Sequence, residues 1–319
     1  MVPSSKQSAF VLLLAGGLLL GISTNLAKLS AAAGTPPLAF LTWSVLGAAV
    51  VLLGVDALRG TLPTIRGRTV EYFLVAGLVS VAASNLIFFA AVPRVGAGFV
   101  ALAIAFPPLF TYLGSLALGL ESLEWRRAAG VACALAGAGY IGLLKLDDPG
   151  ASALWIGLTL LGPVLLAVGN VYRTVRWPRG ESAAALAPGM LAAAGLLLLL
   201  AGAASRTAGF MPATLSLGVD LDNGRAVALI AAQTASFAVQ FLLLFKLQET
   251  GGPVYLSLLG AVGAVVGVPV AVLALGEQWP AGIVAGGLAI AAGVALLSFG
   301  GAAPAPASES RTRPATPTS

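Results

Sequence analysis

Residues 277–286, EQWPAGIVAG, set a glutamate and a tryptophan at the mouth of a long apolar run. The chain has used that arrangement once before, at residues 121–130, ESLEWRRAAG. Glu121 and Glu277 each stand nine positions before a glycine, Gly130 and Gly286, and sixteen before another, Gly137 and Gly293. A shift of 156 positions overlays the two stretches without a gap and keeps the glutamate and both glycines. A shift of 145 sets Asn25 on Asn170 and Lys28 on Arg173. Gly, Ala and Leu fill any membrane helix and echo by accident, but polar residues matched in both comparisons are harder to obtain that way. The spacing predicts a chain built twice from one plan.

Composition names the solvent of that plan. Of 319 residues, 58% are apolar and 9% charged, and the mean hydropathy is +0.97. Soluble domains carry about 25% charged residues, so this chain cannot clothe a water-facing surface. A bilayer core takes roughly 20 mostly apolar residues per helix. Ten such runs are present, at about 8–29, 36–58, 69–92, 96–119, 127–144, 152–175, 182–203, 225–248, 253–275 and 281–300. They lack the alternation of barrel strands and are longer than the ~10 residues such strands need. The fold expected is an all-α integral membrane protein of ten transmembrane helices.

Five spans return the chain on the opposite side, so the second half enters inverted. Residues 8–145 are read as the first five-helix repeat and 152–300 as the second, inverted repeat. Inverted repeats are a common device of secondary transporters, whose halves exchange conformations about a site near the midplane. The Pro/Ser/Thr-rich tail at 301–319 is expected to be disordered and cytoplasmic. The long connection at 205–224 is expected to hold a short surface helix. The first run, which follows Lys6, is read as an uncleaved helix because nine more spans follow it.

Charge supports the topology and excludes several functions. With the N-terminus inside, twelve lysines and arginines fall on the cytoplasmic side and five on the other, which predicts both termini cytoplasmic. That bias accounts for the net charge of +5, and no basic patch with interleaved aromatics calls for nucleic acid. The single cysteine, Cys133, lies inside a span and forms no disulfide framework. The chain has no histidine and no Asp or Glu in the middle of a span. A proton relay of the usual kind, or a carboxylate to hold a cationic drug, therefore has no candidate. No phosphate-binding glycine loop and no metal-spaced His/Cys/carboxylate set occurs. The chain is read as neither an ATP-driven pump nor an enzyme, with no cofactor or metal.

Polar residues inside spans usually face the bundle interior. Gln233 and Gln240 stand seven apart, two turns along one helix face, with Ser236 and Phe237 between them. A polar stripe with interleaved aromatics suits a neutral or zwitterionic solute with an apolar side chain. The candidates for a substrate-binding wall are Gln233, Gln240, Asn25, Asn85, Tyr112, Tyr255, Trp43 and Ser84. For any single serine the alternative is helix–helix hydrogen bonding, which contributes about 0.6 kcal/mol on average. Lys28 and Lys246 are the cations placed to meet a substrate carboxylate, or else they snorkel to the headgroups. AFPPLF at 105–110 puts Pro107 and Pro108 in the middle of the fourth span, freeing carbonyls near Ala103 and Ile104. Pro163 and Pro269 are expected to break the sixth and ninth. The pairs Gly17/Gly21, Gly263/Gly267 and Gly282/Gly286 are assigned to helix packing.

Ten spans in two halves, each with a glutamate before its last helix, resemble the drug/metabolite transporter superfamily, in its EamA-type branch. The residues that carry the resemblance are Asn25 and Lys28 closing the first span, PPLAF at 36–40 opening the second, and Glu121 and Glu277. Relatives often carry an arginine early in the second span, where this chain reads FLTWSVL with Trp43. The resemblance implies an inner-membrane exporter of small metabolites. It points to amino acids, including aromatic ones, as exported by carriers of the YddG type. Its partners would be a small-molecule substrate and the lipid bilayer, with the protein acting as a monomer or homodimer. The alternative is a channel-like facilitator, or an exporter of other metabolites or drugs.

Overall fold

The computed structural model describes residues 5–119, 122–146, 152–207, 213–278 and 282–298. Its helices are α1 (Ser5–Ala32), α2 (Pro37–Arg59), α3 (Gly67–Gly77), α4 (Ser84–Val95), α5 (Ala97–Ala103) and α6 (Pro107–Ala117). They continue as α7 (Trp125–Leu146), α8 (Ala153–Val175), α9 (Ala183–Thr207), α10 (Gly224–Ser257), α11 (Leu259–Leu273) and α12 (Ile283–Ser298). Between α3 and α4 the wider turn of a π-helix covers Leu78–Ala83, so the three pieces form one rod. Among the described residues, seven helical spans are long and apolar enough to cross a membrane. The other three expected positions are filled by α7, α11 and α12, of which α11 is a shorter apolar helix.

The helices pack through small residues, as expected where lipid removes the hydrophobic drive and close approach decides contact. α1 crosses α11 with Gly21 so near Gly263 that an added Cβ would lie 2.5 Å from the Gly263 carbonyl oxygen. α7 crosses α12 at two points, Gly137 against Gly286 and Gly130 against Gly293. These are the four glycines of the repeated spacing. α2 packs on α9 and α10, α3 on α9, and both α4 and α6 on α8. The buried core is aromatic at its centre, where Phe89 stacks on Phe237 at 6.3 Å and meets Phe40 at 5.5 Å.

Local chemistry decided two features differently from the expectation. Pro163 and Pro269 lie inside continuous helices, α8 and α11, and break neither. Neighbouring helices can satisfy the backbone groups that proline frees, so a membrane helix tolerates it. The eighth and ninth runs are not separated near residue 250, because α10 continues through Ser257 and the chain turns at Leu258. The Pro107–Pro108 pair does interrupt its span, with α5 ending at Ala103 and α6 starting at Pro107. The connection after α9 holds one turn of tighter helix, Ala213–Leu215. Glu121, the 301–319 tail and the Tyr255 side chain lie outside the described residues.

Candidate functional site

One narrow cavity, of about 70 Å³, opens between α1, the α3–α4 rod, α8, α10 and α11. Its wall includes Asn85, Asn170, Arg173, Gln240, Phe88 and Phe241, with the Ile104–Pro107 break at one side. A Cβ on Gly260 would collide with the Ile104 carbonyl, so the glycine lets α11 seat against the broken span.

Arg173, the counterpart of Lys28 under the shift of 145, is 1% exposed and reaches the cavity from the last turn of α8. Its Nε–H donates to Gln248 Oε1 at 2.9 Å and an Nη2–H to Asn170 Oδ1 at 2.8 Å. An Nη1–H donates to Ser80 Oγ, and the guanidinium carbon lies 6.0 Å from the Phe245 ring centroid. Gln248 is held in turn, its Nε2–H donating to Thr174 Oγ1 at 3.1 Å.

The π turn presents Ser80. Widening the helix there misaligns the backbone ladder, and side chains take up the carbonyls. Ser84 Oγ–H donates to the Ser80 carbonyl at 2.8 Å and Asn85 Nδ2–H to the Val81 carbonyl at 3.0 Å. Gly169 completes the fit, since any Cβ there would collide with Ser80 Oγ.

The two glutamines of α10 converge on one serine. Gln233 Nε2–H donates to Ser23 Oγ at 2.9 Å, and the Ser23 hydroxyl donates to Gln240 Oε1 at 3.5 Å. Of the pair, Gln240 borders the cavity and Gln233 is fully buried beside α1. Asn25 ties α1 to α11, its Nδ2–H donating to the Gly267 carbonyl at 3.1 Å.

The C-terminal end of α1 is tied to the turn after α11 by an ion pair. Lys28 Nζ meets Glu277 Oε1 at 2.7 Å. The Glu277 carboxylate also accepts the backbone N–H groups of Ala97 at 2.8 Å and Gly98 at 2.9 Å, the exposed donors at the start of α5. Gly96, at φ +88°, turns the chain so that both amides face the carboxylate. Burial pushes the Glu277 carboxyl up, but Lys28 and the two amides outweigh it and hold it below the ordinary carboxylate value.

A separate pocket of about 490 Å³ lies beside the last turn of α8 and the start of α3. Arg66, Arg68, Arg176 and Arg179 border it with Glu71 and Glu181. Arg176 Nη2–H donates to Glu71 Oε1 at 2.7 Å across its exposed rim. Tyr72 and Tyr172, with ring centroids 6.1 Å apart, line it on the same two rods that carry Ser80 and Arg173.

The remaining candidates fall elsewhere. Tyr112 lies in a small cluster with Leu109, Val131 and Ala134. Its hydroxyl accepts the Glu124 N–H at 3.0 Å, bracing the turn before α7. Trp43 is 42% exposed and its Nε1–H donates to the Leu217 carbonyl at 3.1 Å. Lys246 is exposed and pairs with Glu249 at 2.8 Å. The structure thus gathers Gln240 and Asn85 at the cavity, places Gln233 and Ser84 one contact behind it, and pairs Lys28 with Glu277 at the end of α1. The signal for Arg173 was its spacing three residues after Asn170, on one helix face.

Known proteins can now be set beside this geometry. Residues 7–143 match the EamA-like transporter family. That match takes in α1 to α6 and nearly all of α7, including Lys28, Ser80 and Asn85. A solved crystal structure shares the fold with a TM-score of 0.65 at 18% identity, over 92% of this chain and 97% of that chain. No curated protein matches the sequence.

Proposed function

We propose that the protein is an EamA-type secondary transporter that exports small neutral or zwitterionic metabolites across the inner membrane by alternating access. Amino acids, aromatic ones among them, are the foremost substrates. The observation that carries the reading is the small cavity between α1, the α3–α4 rod, α8, α10 and α11. The Lys28–Glu277 ion pair at the end of α1 is read as the closed end, and the larger pocket beside the last turn of α8 as a vestibule. At about 70 Å³ the cavity is far smaller than ordinary ligand pockets of about 300–1,000 Å³. The halves must therefore separate to admit a solute, as a carrier's do and a permanently open pore's need not.

Helix packing supports the inverted repeat. Pairing each helix with its counterpart in the other half, α1 on α10 and α11 becomes α8 on the α3–α4 rod and the α5–α6 span. All of these contacts are present. α2 against α9 and α7 against α12 map onto themselves. With both termini cytoplasmic, the vestibule faces the cytoplasm and the closed end faces out, the arrangement an exporter needs to load.

The test is flux through the purified protein in liposomes, with labelled phenylalanine, threonine and methionine, with and without an imposed proton gradient. Saturable flux of at least one, reduced by Gln240→Ala, supports a carrier of amino acids. No flux of any of the three removes that substrate assignment.

A further inference from the structure

Arg173 is buried with neutral company alone. Its hydrogen-bond partners are the side chains of Ser80, Asn170 and Gln248, and none of the ion pairs among the described residues includes it. A guanidinium carries five N–H donors, and these partners engage three. Burying a cation is costly unless an anion or a full set of acceptors compensates. The C-terminal end of α8 supplies some negative potential, but a helix end is a fraction of a charge. The contrast with Lys28, its counterpart in the first half, is direct. Lys28 is less buried and has the Glu277 carboxylate at 2.7 Å.

The packing around Arg173 aims it rather than hides it. The π turn and Gly169 set Ser80 against one arm, Gln248 holds Nε, and the side chain borders the cavity beside Asn85, Gln240, Phe88 and Phe241. A planar guanidinium recognises a carboxylate through two parallel N–H bonds. We propose that Arg173 is the anion-anchoring residue of the cavity and that the solute it selects carries a carboxylate. Asn85 and Gln240 then serve the solute's remaining polar groups, and Phe88 and Phe241 its apolar side chain. This deepens the transport reading and rests on it only for the flux arm of the test.

The experiment uses matched acids and amides: 3-phenylpropionate with 3-phenylpropionamide, and L-phenylalanine with L-phenylalaninamide. Thermal melting of the full chain in detergent is recorded against each at millimolar concentration. The acids raise the melting temperature and the amides do not. Arg173→Gln abolishes the discrimination, and Arg173→Lys, which keeps the charge without the fork, weakens acid binding about tenfold. Should Arg173→Gln fail to fold, the lysine variant decides alone, and unchanged acid affinity in it overturns the proposal. So does equal stabilisation by acids and amides, or stabilisation by neither acid. Acid binding without liposome flux refutes transport and leaves the anchor standing. Flux of amides as fast as of acids refutes the anchor and leaves transport standing.

Discussion

Replacing Glu277 by glutamine tests whether the closed end is held by one carboxylate. That group accepts two backbone N–H bonds and meets Lys28, joining α1, the start of α5 and the turn after α11. Hydrogen bonds to a charged group contribute roughly 1.5–3 kcal/mol each, and neutral ones about half as much. The Lys28 side chain is 30% exposed, so its share is near the small value of surface pairs, below about 1 kcal/mol. Glutamine keeps one carbonyl acceptor and loses the charge, a net cost of about 2 kcal/mol. At 1.4 kcal/mol per factor of ten, opening of this end should become about thirtyfold more frequent. The assay is alkylation of a single cysteine, Thr24→Cys in a Cys133→Ser background, by an impermeant maleimide applied from the Lys28 side. Thr24 is buried one helical turn below Lys28. Labelling should accelerate by about that factor, and a rate equal to that of the parent would refute the reasoning. The pH dependence has a definite sign. Because the folded carboxyl lies below its ordinary value, its stabilisation is complete above about pH 4.3 and lost as pH falls through the lower folded value. Labelling should therefore be flat from about pH 7 to 5 and rise only in stronger acid.

Other substitutions probe single contacts. Gly169→Ala drives a methyl into Ser80 Oγ and should destabilise by about 1–3 kcal/mol, read as a lowered melting temperature with weaker acid binding. Ser23→Ala strands the amide of Gln233 and should cost about 1–3 kcal/mol. The same loss from Gln233→Leu would show that the serine is not the partner that matters. Gly137→Ala and Gly293→Ala place a methyl 2.6 Å and 2.5 Å from the facing carbonyl oxygens. The two should lower the melting temperature by similar amounts, since they occupy matching contacts. Trp43→Phe removes one exposed hydrogen bond to Leu217 and should change stability by less than about 1 kcal/mol while leaving flux intact.

Seven of the spans were legible because lipid imposes length and apolarity on a crossing helix, and the Pro107–Pro108 break was legible because two adjacent prolines cannot be fully compensated. That Gly17/Gly21 and Gly263/Gly267 serve close packing was legible from spacing, but which helices meet there was not. Arg173 was not, because its position near the end of an apolar run fits snorkelling equally well, and only packing shows that the side chain turns inward. The π turn at Leu78–Ala83 has no composition of its own, so neither the aim of Ser80 nor the roles of Ser84 and Asn85 could be read in advance. Tyr112 and Trp43 resembled cavity residues by type. Both instead spend their polar atoms on nearby connections, a use that depends on where the chain passes after each helix.

The α7–α12 crossing pairs the four glycines of the repeated spacing with one another. On the duplication reading, Gly130 corresponds to Gly286 and Gly137 to Gly293, and each glycine of one helix touches the counterpart of its neighbour. A surface that meets its own copy must be complementary to itself, as in any isologous dimer. A bulky residue arising there would have appeared twice, facing inward from both sides, with no partner free to shrink in response. As it stands, the seam between α7 and α12 has its closest points where only a hydrogen fits in place of a side chain.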